Sequence, residues 1–330
     1  MEASQPPELS RTKRFVFAVI LAIGVPLVAI ALIEGFASLG LLVWDVAHSH
    51  QVPLAERLHT RYDTLLGWVN RPDVSLPDMY GPGIGLTTNP QGFRGSQPVT
   101  PTVPPGQRRI VCSGDSFTLG YGVADDRTWC ARLGQLLPGV EAVNMGQGGY
   151  GIGQAYLWYA RDGAFEHQLQ LFAFIYNDLD RMVADQFLGY PKPVLRLQDG
   201  SLAVANVPVP RQTRFRRFLH NVATRVRELR LGEGLRRLAS GTERPRSVRQ
   251  DSLHWQVAEA VFDRLARLDR RRGSGLVLVY LPARPDLQPS RLDNRRRWLA
   301  QYAARTGVRA IDLTPELRAL PAQAADSLFL

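Results

Sequence analysis

Ser116 is the residue whose neighbours best equip it for covalent chemistry. It stands in the run Arg109-Ile-Val-Cys-Ser-Gly-Asp-Ser-Phe-Thr-Leu-Gly120, where a short β-branched stretch stops at Gly114-Asp115-Ser116. An apolar strand that breaks at a glycine delivers the next side chains to the carboxyl end of a sheet, where open α/β folds hold their ligands. A serine there becomes a nucleophile once a base and an oxyanion site can reach it. Alone, the tripeptide reads first as an ordinary turn, because Gly, Asp and Ser are common turn residues. Two later motifs shift the balance. Val143-Asn-Met-Gly-Gln-Gly-Gly-Tyr-Gly151 follows a second apolar run, and its glycines let backbone N–H groups approach a ligand closely. Phe174-Ile-Tyr-Asn-Asp178 ends a third. Three successive strands thus bring a serine, a glycine-rich turn and an asparagine to one sheet edge, the set that acyl transfer needs.

These motifs require a frame. From Arg109 onward, short apolar runs alternate with helical periods. Strands are predicted at Arg109–Ser113, Glu141–Asn144, Leu171–Tyr176, Leu276–Leu281 and Val308–Leu313. Helices are predicted near Trp129–Leu137, Ile152–Asp162, Trp255–Arg272 and Arg291–Arg305. Such alternation implies βαβ units and a parallel, doubly wound sheet in an α/β domain. Residues 190–250 interrupt the rhythm. There Phe215, Phe218, Leu219, Val222, Val226 and Leu229 fall mostly three or four apart, which predicts an amphipathic helix with basic flanks. Residues 211–250 hold twelve Arg against three Glu, nine of the chain's ten net positive charges. The expected role is a helix packed on the domain with solvated arginines. Anionic lipid or an acidic polysaccharide is the alternative partner. Lysine occurs only at Lys13 and Lys192, so arginine is the default cation of this chain.

Phe15–Ile33 is an uncharged, mostly apolar run of 19 residues, and the apolar character resumes after Glu34 as far as Trp44. That length can cross a bilayer. Arg11, Lys13 and Arg14 precede it, with no matching cluster beyond. Residues 1–14 are therefore expected in the cytoplasm, 15–44 as a single-pass anchor, and the remainder outside. The apolar core of a secretory signal is shorter, roughly 7–15 residues, which favours a retained anchor. Residues 45–108, rich in Pro and Gly, read as an extracytoplasmic lead-in of loops and short strands lying on a domain at 109–330. The two cysteines, Cys112 and Cys130, fit no metal-binding or multi-disulfide spacing. They are expected as small core residues, with one disulfide as the alternative in an oxidising compartment.

Together, Gly114-Asp115-Ser116, the Asn144…Gly149 turn and Asn177-Asp178 resemble, in order and spacing, the first three blocks of the GDSL/SGNH hydrolase family, over roughly residues 109–330. The resemblance implies a flavodoxin-like, three-layer α/β/α sandwich around a five-stranded parallel sheet. It also implies Ser116 as the nucleophile of an acyl-enzyme. The oxyanion hole would consist of the Ser116 N–H, the Gly149 N–H and the Asn177 amide, with neither metal nor cofactor. The leading anchor, with Leu66-Gly67-Trp68 and Asn89…Gly92-Phe93-Arg94, resembles a membrane-tethered bacterial subgroup. Relatives with that layout modify acyl groups on cell-surface polysaccharides, an analogy of layout alone. The implied protein is a periplasmic ester hydrolase acting on an ester or acylated carbohydrate, or an O-acyltransferase of the same fold.

One family block has no counterpart. The fourth supplies the base as Asp-x-x-His or Asp-x-His after the fifth strand, and no histidine follows His254 here. The expectation is a chain clipped near Leu330, with a pseudoenzyme that binds acidic glycan as the alternative. Asp251-Ser-Leu-His254 offers a substitute base. It precedes the fourth strand, however, and reads first as a helix start with His254 in the opening turn. His167 falls at the opposite edge and is expected to be structural, while His48, His50 and His59 read as juxtamembrane residues. Gly146-x-Gly-x-x-Gly151 also satisfies a dinucleotide fingerprint, which wants an acid about 20 residues further on. Asp178 comes 27 residues after Gly151, and that reading leaves Ser116 without a role. Neither a nucleotide nor a nucleic acid is an expected partner.

Overall fold

The computed structural model describes residues 10–48, 58–213, 248–287, 293–321, 324 and 328. They divide into two compact units. Among the described residues the first unit is one helix, α1 (Arg11–His48), which extends the expected anchor by four residues at each end. It carries an 18-residue window of mean hydropathy 3.0 with none of it buried, and is long and apolar enough to cross a membrane.

The second unit is an α/β domain built on a five-stranded sheet. Its chain opens with the hairpin β1 (Thr60–Asp63) and β2 (Gly67–Asn70), then the short pair β3 (Ser75–Leu76) and β4 (Leu86–Thr87). Next come β5 (Arg108–Gly114), α2 (Ser116–Leu119), α3 (Trp129–Leu136), β6 (Val140–Gly146), α4 (Ile152–Asp162), β7 (Leu169–Phe174) and α5 (Asn177–Val183). Two antiparallel pairs follow, β8 (Gln186–Phe187) with β9 (Tyr190–Pro191), and β10 (Val194–Gln198) with β11 (Ser201–Ala205). These occupy the start of the predicted insertion; the amphipathic stretch at 215–229 lies outside the described residues. The unit closes with α6 (Val248–Arg272), β12 (Gly275–Tyr280), α7 (Asp293–Thr306), β13 (Arg309–Asp312) and α8 (Thr314–Arg318). All five predicted strands are present, each end within two residues of its expected place.

The sheet order is β13-β12-β7-β5-β6, every neighbouring pair parallel. The chain leaves β5 to one side for β6, then crosses back over β5 to reach β7. Such a reversal opens a crevice above the carboxyl ends of the two strands where it occurs.

Side chains alternate across a strand. β7 therefore sends Phe172 and Phe174 to one face, and Leu171 and Ala173 to the other. The first face carries the main core, where Trp158 of α4, Phe262 of α6 and Trp298 and Tyr302 of α7 pack together. The second face meets Trp129 of α3 and Leu313. Beside them lies an apolar groove of about 710 Å³, lined in part by Phe117, Leu281 and Ile311.

The structure corrects the expectation for the cysteines. Cys112 and Cys130 form a disulfide with Cα atoms 6.0 Å apart. Cys112 faces away from the main core, and α3, which packs along the neighbouring strand β6, carries Cys130 in its first turn. The Cα separation lies inside the range a disulfide spans. His59 is corrected too. It is 4 % exposed, and its carbonyl accepts the Arg71 N–H at 2.8 Å, so it belongs to the sheet domain. The Pro- and Gly-rich segment is likewise part of this unit rather than a cover laid on it: Leu66, Trp68 and Phe93 are buried in its main core.

Candidate active site

β5 ends at Gly114, where any side chain would overlap the Ala173 carbonyl. Asp115 then caps α2, its Oδ1 accepting the Phe117 N–H at 2.9 Å. Ser116 is the first residue of α2, half-buried, with Oγ 3.5 Å from Asp115 Oδ2. Gly146 at the end of β6 presses against this helix, because a Cβ there would overlap the Leu119 N–H. The far end of α2 is held by Arg94, a buried residue. Its Nη1 donates to the Leu119 carbonyl at 2.6 Å and to that of Gly120, and its Nε to Asp125 Oδ1 at 2.8 Å.

The glycine-rich turn after β6 is carried by the hairpin β1–β2. Trp68 Nε1 donates to the Gly148 carbonyl at 2.9 Å, and the Tyr150 hydroxyl donates to the Trp68 carbonyl. Gln147 Nε2 donates to Asn70 Oδ1 at 2.7 Å. Gly149 sits at φ +77, a left-handed conformation that favours glycine, and a Cβ would lie 2.5 Å from Cε1 of Phe187. Asn177 opens α5 directly beyond β7 and is half-buried. Among the described residues, neither the Gly149 N–H nor the Asn177 side-chain amide has a hydrogen-bond partner. Ser116, Gly149 and Asn177 therefore stand at the carboxyl ends of three adjacent strands, with two donors unengaged.

Beneath them lies a buried charge cluster. Asp115 and Asp178 are each 1 % exposed, and Arg181 lies between them. Burial pushes the Asp115 carboxyl up to about 6 against the pull of Arg181. Burial, then the charge of Asp115, holds Asp178 well above the usual carboxylate range. Lys192 is 1 % exposed at the end of α5, its Nζ donating to the carbonyls of Arg181 and, at 3.1 Å, of Ala184. Burial pulls that amine down to about 7.

The candidate base residues are placed differently from expectation. α6 begins at Val248, so Asp251 and His254 lie inside the helix rather than at its start. His254 Nδ1 lies 3.1 Å from Asp180 Oδ1 on α5, one turn beyond Asn177. Among the described residues, Ser116 Oγ faces the Asp115 carboxylate and no imidazole. His167 is buried at the opposite edge, its Nε2 2.7 Å from the Tyr159 hydroxyl and its Nδ1 2.8 Å from the Phe165 carbonyl. Burial lowers its pKa, in keeping with a structural role. The first and last glycines of the dinucleotide fingerprint serve packing instead. Gly146 abuts α2, and Gly151 admits α5, where a Cβ would lie 2.7 Å from Cβ of Arg181.

The sequence reading gave no site role to Arg181, Lys192, Arg94 or Trp68, although it noted the segments that hold Arg94 and Trp68. A usable signal existed for Lys192, the lone lysine beyond the N-terminal segment, and for Arg181, three residues after Asp178 on one helix face. Among the described residues no cluster of three or more His, Cys, Asp or Glu is arranged to hold a metal ion. No family model matches this chain, and no curated protein matches it.

Proposed function

We propose that this protein is a serine esterase-type hydrolase of the SGNH kind, acting on ester-linked acyl groups through a Ser116 acyl-enzyme. One observation carries the reading: a serine, an unengaged N–H at Gly149 and an unengaged amide at Asn177 end three adjacent parallel strands. The sheet order, the helices on its main-core face and α3 on the other face support a three-layer sandwich. In the reaction, Ser116 Oγ attacks the acyl carbonyl carbon. Its oxygen takes up the negative charge and receives hydrogen bonds from the Ser116 N–H, the Gly149 N–H and Asn177. Collapse expels the alcohol, which takes the serine's proton by way of the base. Water then releases the acid, or a sugar hydroxyl accepts the acyl group and the protein is an O-acyltransferase.

For the base, the chain offers the Asp180–His254 pair. A carboxylate on Nδ1 leaves Nε2 as the proton acceptor, the orientation that serine triads use. An extracytoplasmic domain behind a membrane anchor fits the apolar α1 and the Cys112–Cys130 disulfide, a bond of oxidising compartments.

Acetate release from an O-acetylated oligosaccharide tests the reading. Ser116→Ala is expected to abolish release while the fold is kept, and wild-type levels of release from that variant would refute the assignment. Release that requires a sugar acceptor identifies the transferase. Loss of release in His254→Ala assigns the base to the Asp180–His254 pair.

A further inference from the structure

We propose that Arg181 is the positioning residue that locks the nucleophile, the glycine turn and the asparagine into one arrangement; the role rests on the serine chemistry proposed above. Its guanidinium reaches a chain neighbour of each of the three. Nη1 donates to Asp178 Oδ1 at 3.0 Å and to the Tyr150 carbonyl at 3.3 Å, and lies 3.6 Å from Asp115 Oδ2. Asp178 follows Asn177, Tyr150 follows Gly149, and Asp115 precedes Ser116.

Each carboxylate passes the constraint on to the backbone. Asp178 Oδ2 accepts the Ile175 N–H at 3.0 Å, and Asp115 Oδ1 accepts the Phe117 N–H at 2.9 Å. A shift of the guanidinium therefore moves strand ends as well as side chains. The stem of Arg181 is fixed from below by Gly151, which lets the turn close onto its Cβ. From above, the Phe187 ring sits 5.0 Å from the guanidinium carbon and covers Gly149. Lys192 pins the Arg181 carbonyl. One cation thus serves two buried carboxylates and a carbonyl, each on a different segment. All three contacts are made by Nη1 at the end of the arginine stem, so a lysine ammonium, a compact point charge on a shorter side chain, reproduces them only in part.

The test compares the full chain with Arg181→Met and Arg181→Lys by amide hydrogen exchange and by turnover of p-nitrophenyl acetate. In Arg181→Met, exchange is expected to speed up about tenfold or more, together in residues 113–120, 147–152 and 175–183, while β12 and β13 keep their protection. kcat is expected to fall about a hundredfold, the cost of misplacing reacting groups by about 1 Å, with KM nearly unchanged. Arg181→Lys recovers part of kcat, and it carries the same comparison if the Met variant does not fold. Faster exchange confined to 175–183 overturns the positioning role, whatever the turnover. If the wild-type chain cleaves no ester, the hydrolase reading fails, and the exchange pattern alone decides whether Arg181 ties the three segments together.

Discussion

The amino and carboxyl edges of the sheet each bury a cluster of ionisable side chains. At the amino edge the Tyr159 hydroxyl is shared between His167 and Asp269, and the Arg272 guanidinium lies over the Tyr159 ring at 5.0 Å. Nearby, the fully buried Arg109 bonds to Glu141, Thr100 and the Glu166 carbonyl. Burial pushes Asp269 up to about 6, the same value as Asp115 at the other edge. Displaced pKa values therefore do not tell the two edges apart. What differs is what each cluster leaves over. At the amino edge both nitrogens of His167 and the Tyr159 hydroxyl are bonded inward, and the unpartnered Asp269 Oδ2 is an acceptor buried away from solvent. At the carboxyl edge the Gly149 N–H and the Asn177 amide have no partner among the described residues, beside a Ser116 hydroxyl held only by a long 3.5 Å contact to Asp115. Perturbed groups mark a candidate site only where strand ends and close-packed glycines also present unengaged ones.

Substitutions should separate the edges cleanly. The largest effect is expected from Ser116→Ala, which removes the nucleophile and lowers ester turnover by on the order of 10⁵–10⁶ with an unchanged unfolding midpoint. Asn177→Ala should cost about 10²–10³ in kcat, the usual loss for one oxyanion donor, measured with p-nitrophenyl acetate. Reduction of Cys112–Cys130 should lower stability by about 3 kcal/mol, since it closes a loop of sequence separation 18, and this is read from urea unfolding with and without reductant. The smallest effect belongs to the amino edge. Folded Asp269 holds a proton that the unfolded chain, at the usual 3.8, releases earlier. Stability is therefore highest below that value and declines as pH rises towards about 6. Asp269→Asn should remove its share of this decline, at most about 3 kcal/mol, and leave ester turnover at the wild-type level. Turnover lost in Asp269→Asn would collapse the distinction between the edges.

The strands were legible because β-branched runs such as Ile110-Val111 and Val277-Leu278-Val279 stop at turn residues within a few positions. Gly114-Asp-Ser116, Gly148-Gly149 and Asn177 were legible because each follows a short apolar run within a few positions. The rest depends on contacts that no local pattern encodes. Trp68 meets Gly148 across 80 residues, and Arg94 reaches Leu119 across 25. Cys112 and Cys130 carry no spacing signature, so only the packing of α3 beside β6 brings them together. Arg181 was hidden by composition, as one arginine in a chain that uses arginine as its default cation. The start of α6 was misplaced because Asp251-Ser252 imitates a helix cap, while the helix already runs from Val248.

The central claim is that Ser116 is an activated nucleophile, and covalent capture tests it most directly. The full chain would be treated with a fluorophosphonate, and the adduct located by intact mass and peptide mapping. The account predicts one adduct, on the peptide containing Ser116, absent from Ser116→Ala and slowed in Asn177→Ala. An intact, folded chain that takes up no probe, or an adduct that persists in Ser116→Ala, would contradict it.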